Sequence, residues 1–480
     1  MINTPIIVGT IVVYMGICLV LGFVAYRRTS NLADFILGGR SLGSWVTAFS
    51  AQASDMSGWL LMGLPGLAYL AGFDAVWLAT GLIVGTYLNW KFIAAPLRVR
   101  TEQLGDSLTM PDYFERRFND RSRILRTITA AFILVFFTFY ASSGFVASGR
   151  LFESLFGMDY HDAMFWGSIV MLAYTFFGGF LAVSWSDVLQ GTLMFFALIL
   201  VGAIGVGLAG GFGGLLATLE ARDPALLDPF TASGGEALGA IGILSLLAWG
   251  LGYPGQPHIL ARFMAIRSVD EMPAARRVAM GWVVIVLAAA VIVGLAGAVL
   301  IDPPLAGPDT EKVFIVMSTA YLHPVFAGIC LSGILAAIMS TASAQLLVAS
   351  SAFAQDFYRG FFRRDPGRVE LLWVGRGAVL GIAVLAYLLA LNPENKVLDL
   401  VAWAWAGFGA AFGPAIVLSL YWPGMTRDGA LAGMLVGGLT VIVWKQLGGG
   451  LFDLYEMVPG VLFSALAIWA VSTLGRKRGG

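Results

Sequence analysis

The chain has 480 residues, of which 58% are hydrophobic and 12% charged, and its formal net charge is zero. A soluble protein carries about 25% charged residues, so a water-soluble globule is excluded, and a neutral chain offers no electrostatic pull toward nucleic acid. A mean hydropathy of +0.83 and 60 glycines fit helices packed closely within a bilayer.

Apolar runs of about 20 residues, long enough to cross a membrane, recur along the chain. They cover 5–26, 43–65, 69–95, 124–154, 161–181, 185–210, 238–256, 278–301, 314–350, 372–391, 397–421, 429–446 and 456–474. The pattern predicts an all-α membrane protein with 13 transmembrane helices in one domain, residues 1–480. No basic segment leads the first run, so it reads as a retained helix rather than a signal peptide. With the N-terminus outside and strict alternation, 24 of the 29 Lys and Arg residues fall in inner loops. Only Arg150, Arg222, Lys312, Lys396 and Lys445 fall outside. Basic residues concentrate on the cytoplasmic side of membrane proteins, so the split predicts an outer N-terminus and an inner C-terminus. The longest polar inner loop, 96–123, contains TMPDYFERRF. That stretch is predicted as a short interfacial helix with Thr109 as N-cap and Pro111 in its first turn. Outside, 211–237 and 302–313 are rich in Gly, Pro and acidic residues and read as loops with room for short surface helices. Cys18 and Cys330 lie in apolar runs, and His161, His258 and His323 are scattered, so no metal-type spacing is present.

The second run holds the first stretch that carries chemistry, SAQASDMSGWLLMGLPG from Ser50 to Gly66. A carboxylate at membrane depth marks a functional site by default, and here it is Asp55. Ser54, Ser57 and Gly58 flank it, and Gly63, Pro65 and Gly66 follow. Small and hydroxyl residues around an acid predict a locally unwound helix with freed carbonyls. Such oxygens in a dry cavity suit a hard cation such as Na⁺.

In the sixth run, AVSWSDVLQ places Asp187 near the inner end. It is a candidate second cation site, proton relay or gate residue, against an ordinary helix-start residue at the interface. In the seventh run, WGLGYPGQPH (249–258) carries Gly250, Gly252, Pro254 and Pro257 within ten residues. That predicts a second break, against a plain helix end. It falls five runs after the first, so the two helices would run in opposite directions. Interrupted helices at corresponding positions of two inverted halves point to a transporter site. Trp249 and Tyr253 are spaced i, i+4 and offer an aromatic wall, against an interfacial belt position for Trp249. In the ninth run, Ser340, Thr341 and Ser343 place hydroxyls at membrane depth. Together with carbonyls of the broken second helix they could complete a cation shell. The competing reading bonds each back to its own helix as packing glue.

ILGGRSLG, SAQASDMSGWLLMGLPG, GGFLAVSWSD, WGLGYPGQPHILARF, ILAAIMSTASAQLLV and NPENKVLDLVAWAWAGFGAAFGP together resemble the solute:sodium symporter family over nearly the whole chain. The resemblance implies a LeuT-type fold with a 5+5 inverted repeat, 43–210 and 238–421, plus one extra N-terminal and two extra C-terminal helices. It implies Na⁺-coupled uptake of L-proline across a bacterial inner membrane, with no enzymatic step and no obligate protein partner. It implies Na⁺ ligands in the backbone of Ala53, Met56 and Ala337 and the hydroxyls of Ser340 and Thr341. Asp55, with its neighbours Ser57 and Gly58, matches the family's coupling residues; so do Arg40, near the inner mouth, and Asp187. Trp59, Tyr140, Trp249, Tyr253 and Pro257 match its solute-binding positions. Two departures stand out. Ala344 lacks the hydroxyl that some relatives use for an additional ion with Asp187 and Ser343, so one Na⁺ site is expected. Pro254 replaces an aromatic residue in the solute motif. Rival readings are the same fold carrying another solute, proton coupling, and a membrane solute sensor. The absence of HExxH, GxSxG or clustered histidines speaks against an intramembrane enzyme.

Overall fold

The computed structural model describes residues 4–26, 37–175, 180–232, 236–358, 362–363 and 367–477. Arg27, Arg28, Arg359, Arg364 and Arg478 of the inner-loop count lie outside them. Among the described residues the chain is helical, and its only pairings of the β kind are two isolated bridges.

The helices, in chain order, begin with α1 (Thr4–Tyr26), α2 (Ser44–Asp55), α3 (Leu64–Ala71), α4 (Ala75–Leu88), α5 (Ala94–Gln103), α6 (Met110–Arg117) and α7 (Ile124–Phe156). Next come α8 (Tyr160–Thr175), α9 (Phe180–Leu208), α10 (Gly211–Arg222), α11 (Gly239–Leu247), α12 (Pro257–Ala265) and α13 (Met272–Leu300). The rest are α14 (Val313–Tyr321), α15 (Pro324–Ser351), α16 (Arg368–Leu389), α17 (Val397–Tyr421), α18 (Arg427–Trp444) and α19 (Met457–Lys477). Nine helical segments among the described residues are long and apolar enough to cross a membrane, and Gly239–Gly255 and Trp373–Leu389 are shorter apolar helices.

Several boundaries differ from the sequence expectation, each for a local reason. The run 314–350 is two helices, not one. Pro324 starts α15, and the His323 ring accepts from the Val325 N–H as its cap. The third helix continues past 95 to Gln103 despite Pro96. A π-helical turn, Asn89–Ile93, precedes it. The Phe92 carbonyl, which Pro96 cannot reach with an N–H, accepts from the Tyr421 hydroxyl instead. The interfacial helix α6 forms as expected, with Thr109 Oγ1 accepting from the Asp112 N–H at 3.2 Å.

Apart from the buried Asp187–Arg262 pair, the ion pairs of the described residues gather at the two ends of the bundle. One end holds Arg40–Asp106 at 2.6 Å, Arg126–Asp356 at 2.5 Å and Arg427–Asp120 at 2.8 Å. The other holds Lys312–Asp309 at 2.8 Å, Lys312–Glu153 at 3.0 Å and Lys445–Glu456 at 3.8 Å. Also at this second end, the Glu311 carboxylate accepts from the Val397 and Leu398 N–H groups at 2.8 and 3.0 Å. A negative charge there complements the exposed amides that open α17.

Both interrupted helices break. In the first, α2 stops at Asp55, and Met56 has φ −87° and ψ 84°, which is not helical. A π-helical stretch, Trp59–Gly63, leads into α3, where Pro65 sits in the first turn. In the second, α11 gives way to a 3₁₀ stretch over Ala248–Gly255, Gln256 is extended, and Pro257 starts α12. The second break lies backbone to backbone against α4. A Cβ on Gly250 would overlap the Gly81 carbonyl oxygen, and one on Gly85 would overlap the Gly250 carbonyl oxygen. Overpacking of this kind costs about 1–3 kcal/mol, so Gly250→Ala is expected to lower the thermal unfolding midpoint of the purified protein. Gly281→Ala, whose Cβ would meet nothing within 4 Å, should leave it unchanged. Equal midpoints for the two variants would refute the close approach.

Candidate functional site

The two breaks face each other in the bundle interior. The rings of Trp59 and Trp249 lie 6.2 Å apart, and both residues are at most 5% exposed. Around them the freed backbone groups are met by side chains. The Asp55 carbonyl accepts from the Trp59 indole Nε1–H at 3.2 Å and from the Tyr140 hydroxyl at 3.0 Å. Trp405 Nε1–H donates to the Trp249 carbonyl at 2.8 Å, and its ring meets Tyr253 edge-on at 5.0 Å. Gln256 Nε2 donates to the carbonyls of Gly252 and Trp405, each at 3.2 Å. The Tyr253 carbonyl, orphaned by Pro257, accepts from the Gln256 N–H at 3.2 Å and from Asn89 Nδ2 at 3.4 Å.

The expected cation ligands converge one turn before the first break. Ser340 Oγ lies 2.7 Å from the Ala53 carbonyl oxygen and 3.1 Å from that of Ala337. Thr341 Oγ1 lies 3.4 Å from the Ala53 oxygen. Met56, fully buried, leaves helical geometry directly after α2. These are neutral oxygens, the donor set a hard monovalent cation prefers, and each hydroxyl can turn its proton away and present a lone pair. Ser343 behaves differently: its hydroxyl bonds back to the Met339 carbonyl at 2.7 Å, as packing glue would.

Asp55 is fully buried, and neither carboxylate oxygen has a partner at hydrogen-bonding distance. The Tyr140 and Tyr253 hydroxyls lie within its electrostatic reach. An ionised carboxylate in so dry a place is favoured by a cation beside it, and favours that cation in return. Ser57 and Gly58 form the bend itself; a Cβ on Gly58 would lie 2.9 Å from that of Ala147. Pro257 heads α12 beyond the aromatic wall. Trp249 packs between Trp59 and Tyr455, the latter stacked at 5.8 Å, so it is an interior residue and not part of an interfacial belt.

Two expected residues stand apart from this cluster. Asp187 is fully buried in α9, not a helix-start residue at the interface. Its Oδ2 accepts from Ser50 Oγ at 2.6 Å and pairs with Arg262 at 3.4 Å. Arg262 also donates to Ser50 Oγ and to the His258 carbonyl, both at 3.0 Å. The cluster thus ties α2, α9 and α12 together. Arg40 sits in a left-handed turn, φ 51°, after Gly38 and Gly39. A non-glycine residue there costs about 1–3 kcal/mol, and its guanidinium offsets that strain with bonds to Asp106, Thr101, Ser107 and Met264. Arg40 therefore fastens the entry to α2 onto the end of α12. Arg262, Gln256 and Trp405 were absent from the sequence expectation. Arg262 was legible only as one more inner-loop cation, and Trp405 only as part of an aromatic run.

The chain matches the model of the family described as "Sodium:solute symporter family" over residues 35–437. It is 52% identical to the sodium/proline symporter of Escherichia coli strain K12, over 99% of this chain and 94% of that one. It is 50% identical to the high-affinity proline transporter PutP of Bacillus subtilis strain 168, over 95% of each. Among solved structures, a substrate-bound, outward-open Na⁺-coupled sialic acid symporter superposes with a TM-score of 0.80 at 19% identity, over 98% of each chain. That likeness establishes the fold, a LeuT-type helical bundle. The family match spans both breaks and the helix α15 that carries Ser340 and Thr341, and the chain belongs to the sodium:solute symporter family.

Proposed function

We propose that this chain is a secondary active transporter of a bacterial inner membrane that couples Na⁺ entry to L-proline uptake by alternating access. The observation that carries the ion is the Ala53 carbonyl, released by the first break and met across the bundle by Ser340 and Thr341. The solute is supported by relatives at about half identity over the full chain that are named for proline. The architecture reads as thirteen spans with an outer N-terminus and an inner C-terminus, and 43–210 and 238–421 as inverted repeats. The 24 of 29 Lys and Arg residues that fall in the expected inner loops support that orientation.

Na⁺ is held by the oxygens of Ala53, Met56, Ala337, Ser340 and Thr341, with Asp55 setting the potential. Its binding orders the first break. Proline then lies between the two breaks, its ring against Trp59, Tyr140 and Trp249, bounded by Tyr253 and Pro257. Its carboxylate meets backbone N–H groups at a half-helix terminus, where the dipole favours an anion. Because the two ligands share one ordered segment, each tightens the other by the same factor. Inward Na⁺ flow supplies about 2.3 kcal/mol per charge per 100 mV from the potential alone. Asp187 is already neutralised by Arg262, which favours one Na⁺ per cycle. The same cluster and Arg40 act on coupling by fixing α2 to α12.

The primary test is uptake of radiolabelled L-proline into proteoliposomes under an inward Na⁺ gradient, with choline as control. Accumulation only with Na⁺ is expected; equal accumulation with choline and a proton gradient would overturn the ion. Ser340→Ala should raise the Na⁺ concentration for half-maximal uptake at least tenfold, about 1.4 kcal/mol, and leave folding intact. Asparagine has the shape of the Asp55 side chain and leaves the neighbouring Tyr253 hydroxyl a polar partner, so Asp55→Asn should fold and lose Na⁺-stimulated proline binding. Normal Na⁺ dependence in that variant would remove Asp55 from the mechanism.

A further inference from the structure

A groove of about 280 Å³ opens on the flank of the bundle between α2, α9 and α13. Its walls are apolar and aromatic. Trp45 and Phe49 of α2 stack with ring centroids 6.1 Å apart, and Phe196 of α9 stands opposite. Trp45 is 64% and Phe196 61% exposed, so both face whatever surrounds the protein. Trp282 lines the groove with its Nε1–H donating to the Gly191 carbonyl at 3.0 Å. Gly281 leaves a recess: a Cβ there would meet nothing within 4 Å. At the end nearest the start of α13 stands Arg277, exposed and, among the described residues, in no ion pair. This is the end of the bundle that also carries Arg40, Arg98 and Arg267.

We propose that this groove is a binding site for an anionic phospholipid, with its phosphate on Arg277 and an acyl chain along the aromatic walls. The lining is apolar and aromatic along its length with a single cation, Arg277, at one end, which matches the chemistry of an acyl chain carrying a phosphate. Its volume, at the low end of the roughly 300–1,000 Å³ of small-molecule sites, holds part of one chain rather than a whole lipid. A guanidinium binds phosphate through paired N–H donors, and basic pockets between membrane helices recognise anionic headgroups in this way. The lipid would touch the first half of the broken helix directly. Phe49 precedes Ser50, the residue shared by Asp187 and Arg262.

The test is native mass spectrometry of the purified full chain in detergent, titrated with phosphatidylglycerol or with phosphatidylethanolamine of the same acyl chains. This readout does not depend on which solute is carried. Wild type is expected to retain one phosphatidylglycerol at severalfold lower lipid concentration than phosphatidylethanolamine. Arg277→Gln should abolish that preference, and Arg277→Lys should keep most of it. Gly281→Leu, which fills the recess, should weaken retention of both lipids, with an unchanged unfolding midpoint as the folding control. Equal retention of the two lipids by wild type would overturn the proposal. So would an unchanged preference in Arg277→Gln, or a lipid-free dimer that the same variants dissociate, which would make the groove an interface between two copies.

Discussion

A backbone group released from a helix inside a membrane has no water to turn to and must find its partner within the protein. Both breaks in this chain release such groups, and the centre of the molecule is the set of side chains that meet them. Trp59 and Tyr140 converge on the Asp55 carbonyl, Trp405 reaches the Trp249 carbonyl, and Gln256 bridges the carbonyls of Gly252 and Trp405. The Ala53 carbonyl is held only by the hydroxyls of α15. A hydroxyl can exchange a donor role for an acceptor role without moving. A cation can therefore enter at Ala53 without leaving a backbone group stranded. At the other carbonyls the partner is an N–H or a tyrosine already committed by ring packing. The proposed ion site and the geometry of the first break thus share one set of residues.

The charged interior serves the same breaks from further away. Arg262, Asp187 and Ser50 join three helices in a dry environment. Removing one partner of such a pair costs far more than the pair itself contributes. Arg40 makes the same connection, from the entry of α2 to the end of α12, through a strained turn. At the opposite end of the bundle, Glu311 fastens the 3₁₀ turn Gly307–Lys312 to the start of α17. The two halves of the site are therefore tied at both ends by buried or half-buried charge. The middle is built of small residues: Gly81, Gly85 and Gly250 allow a backbone approach that no side chain would permit.

Much of this was legible in the sequence because the bilayer enforces a simple code. Apolar length, the asymmetry of basic residues and an acid inside an apolar run are each forced by desolvation, and each can be read one residue at a time. So are the breaks, since Pro and Gly act on the backbone locally: the 248–258 interruption lies where Gly250, Gly252, Pro254, Gly255 and Pro257 cluster. Local rules failed where a distant group supplied what proline removed. Pro96 does not end its helix because Tyr421, more than three hundred positions away, satisfies the orphaned carbonyl. His323 and Pro324 divided a run whose hydropathy is continuous.

Which hydroxyl reaches across and which folds back was beyond the sequence. Ser340 and Ser343 are one helical turn apart and chemically identical, yet one meets the Ala53 carbonyl and the other its own helix. That choice depends on which face of α15 is turned toward α2, a matter of packing between segments nearly three hundred residues apart. The same holds for Asp187: the sequence by itself determined that an acid stands near the inner end of an apolar run, and the structure buries it completely. Only the tertiary structure decided that Arg262 would neutralise it, because pairing of buried charges is set by the three-dimensional meeting of helices and leaves no mark on either local sequence.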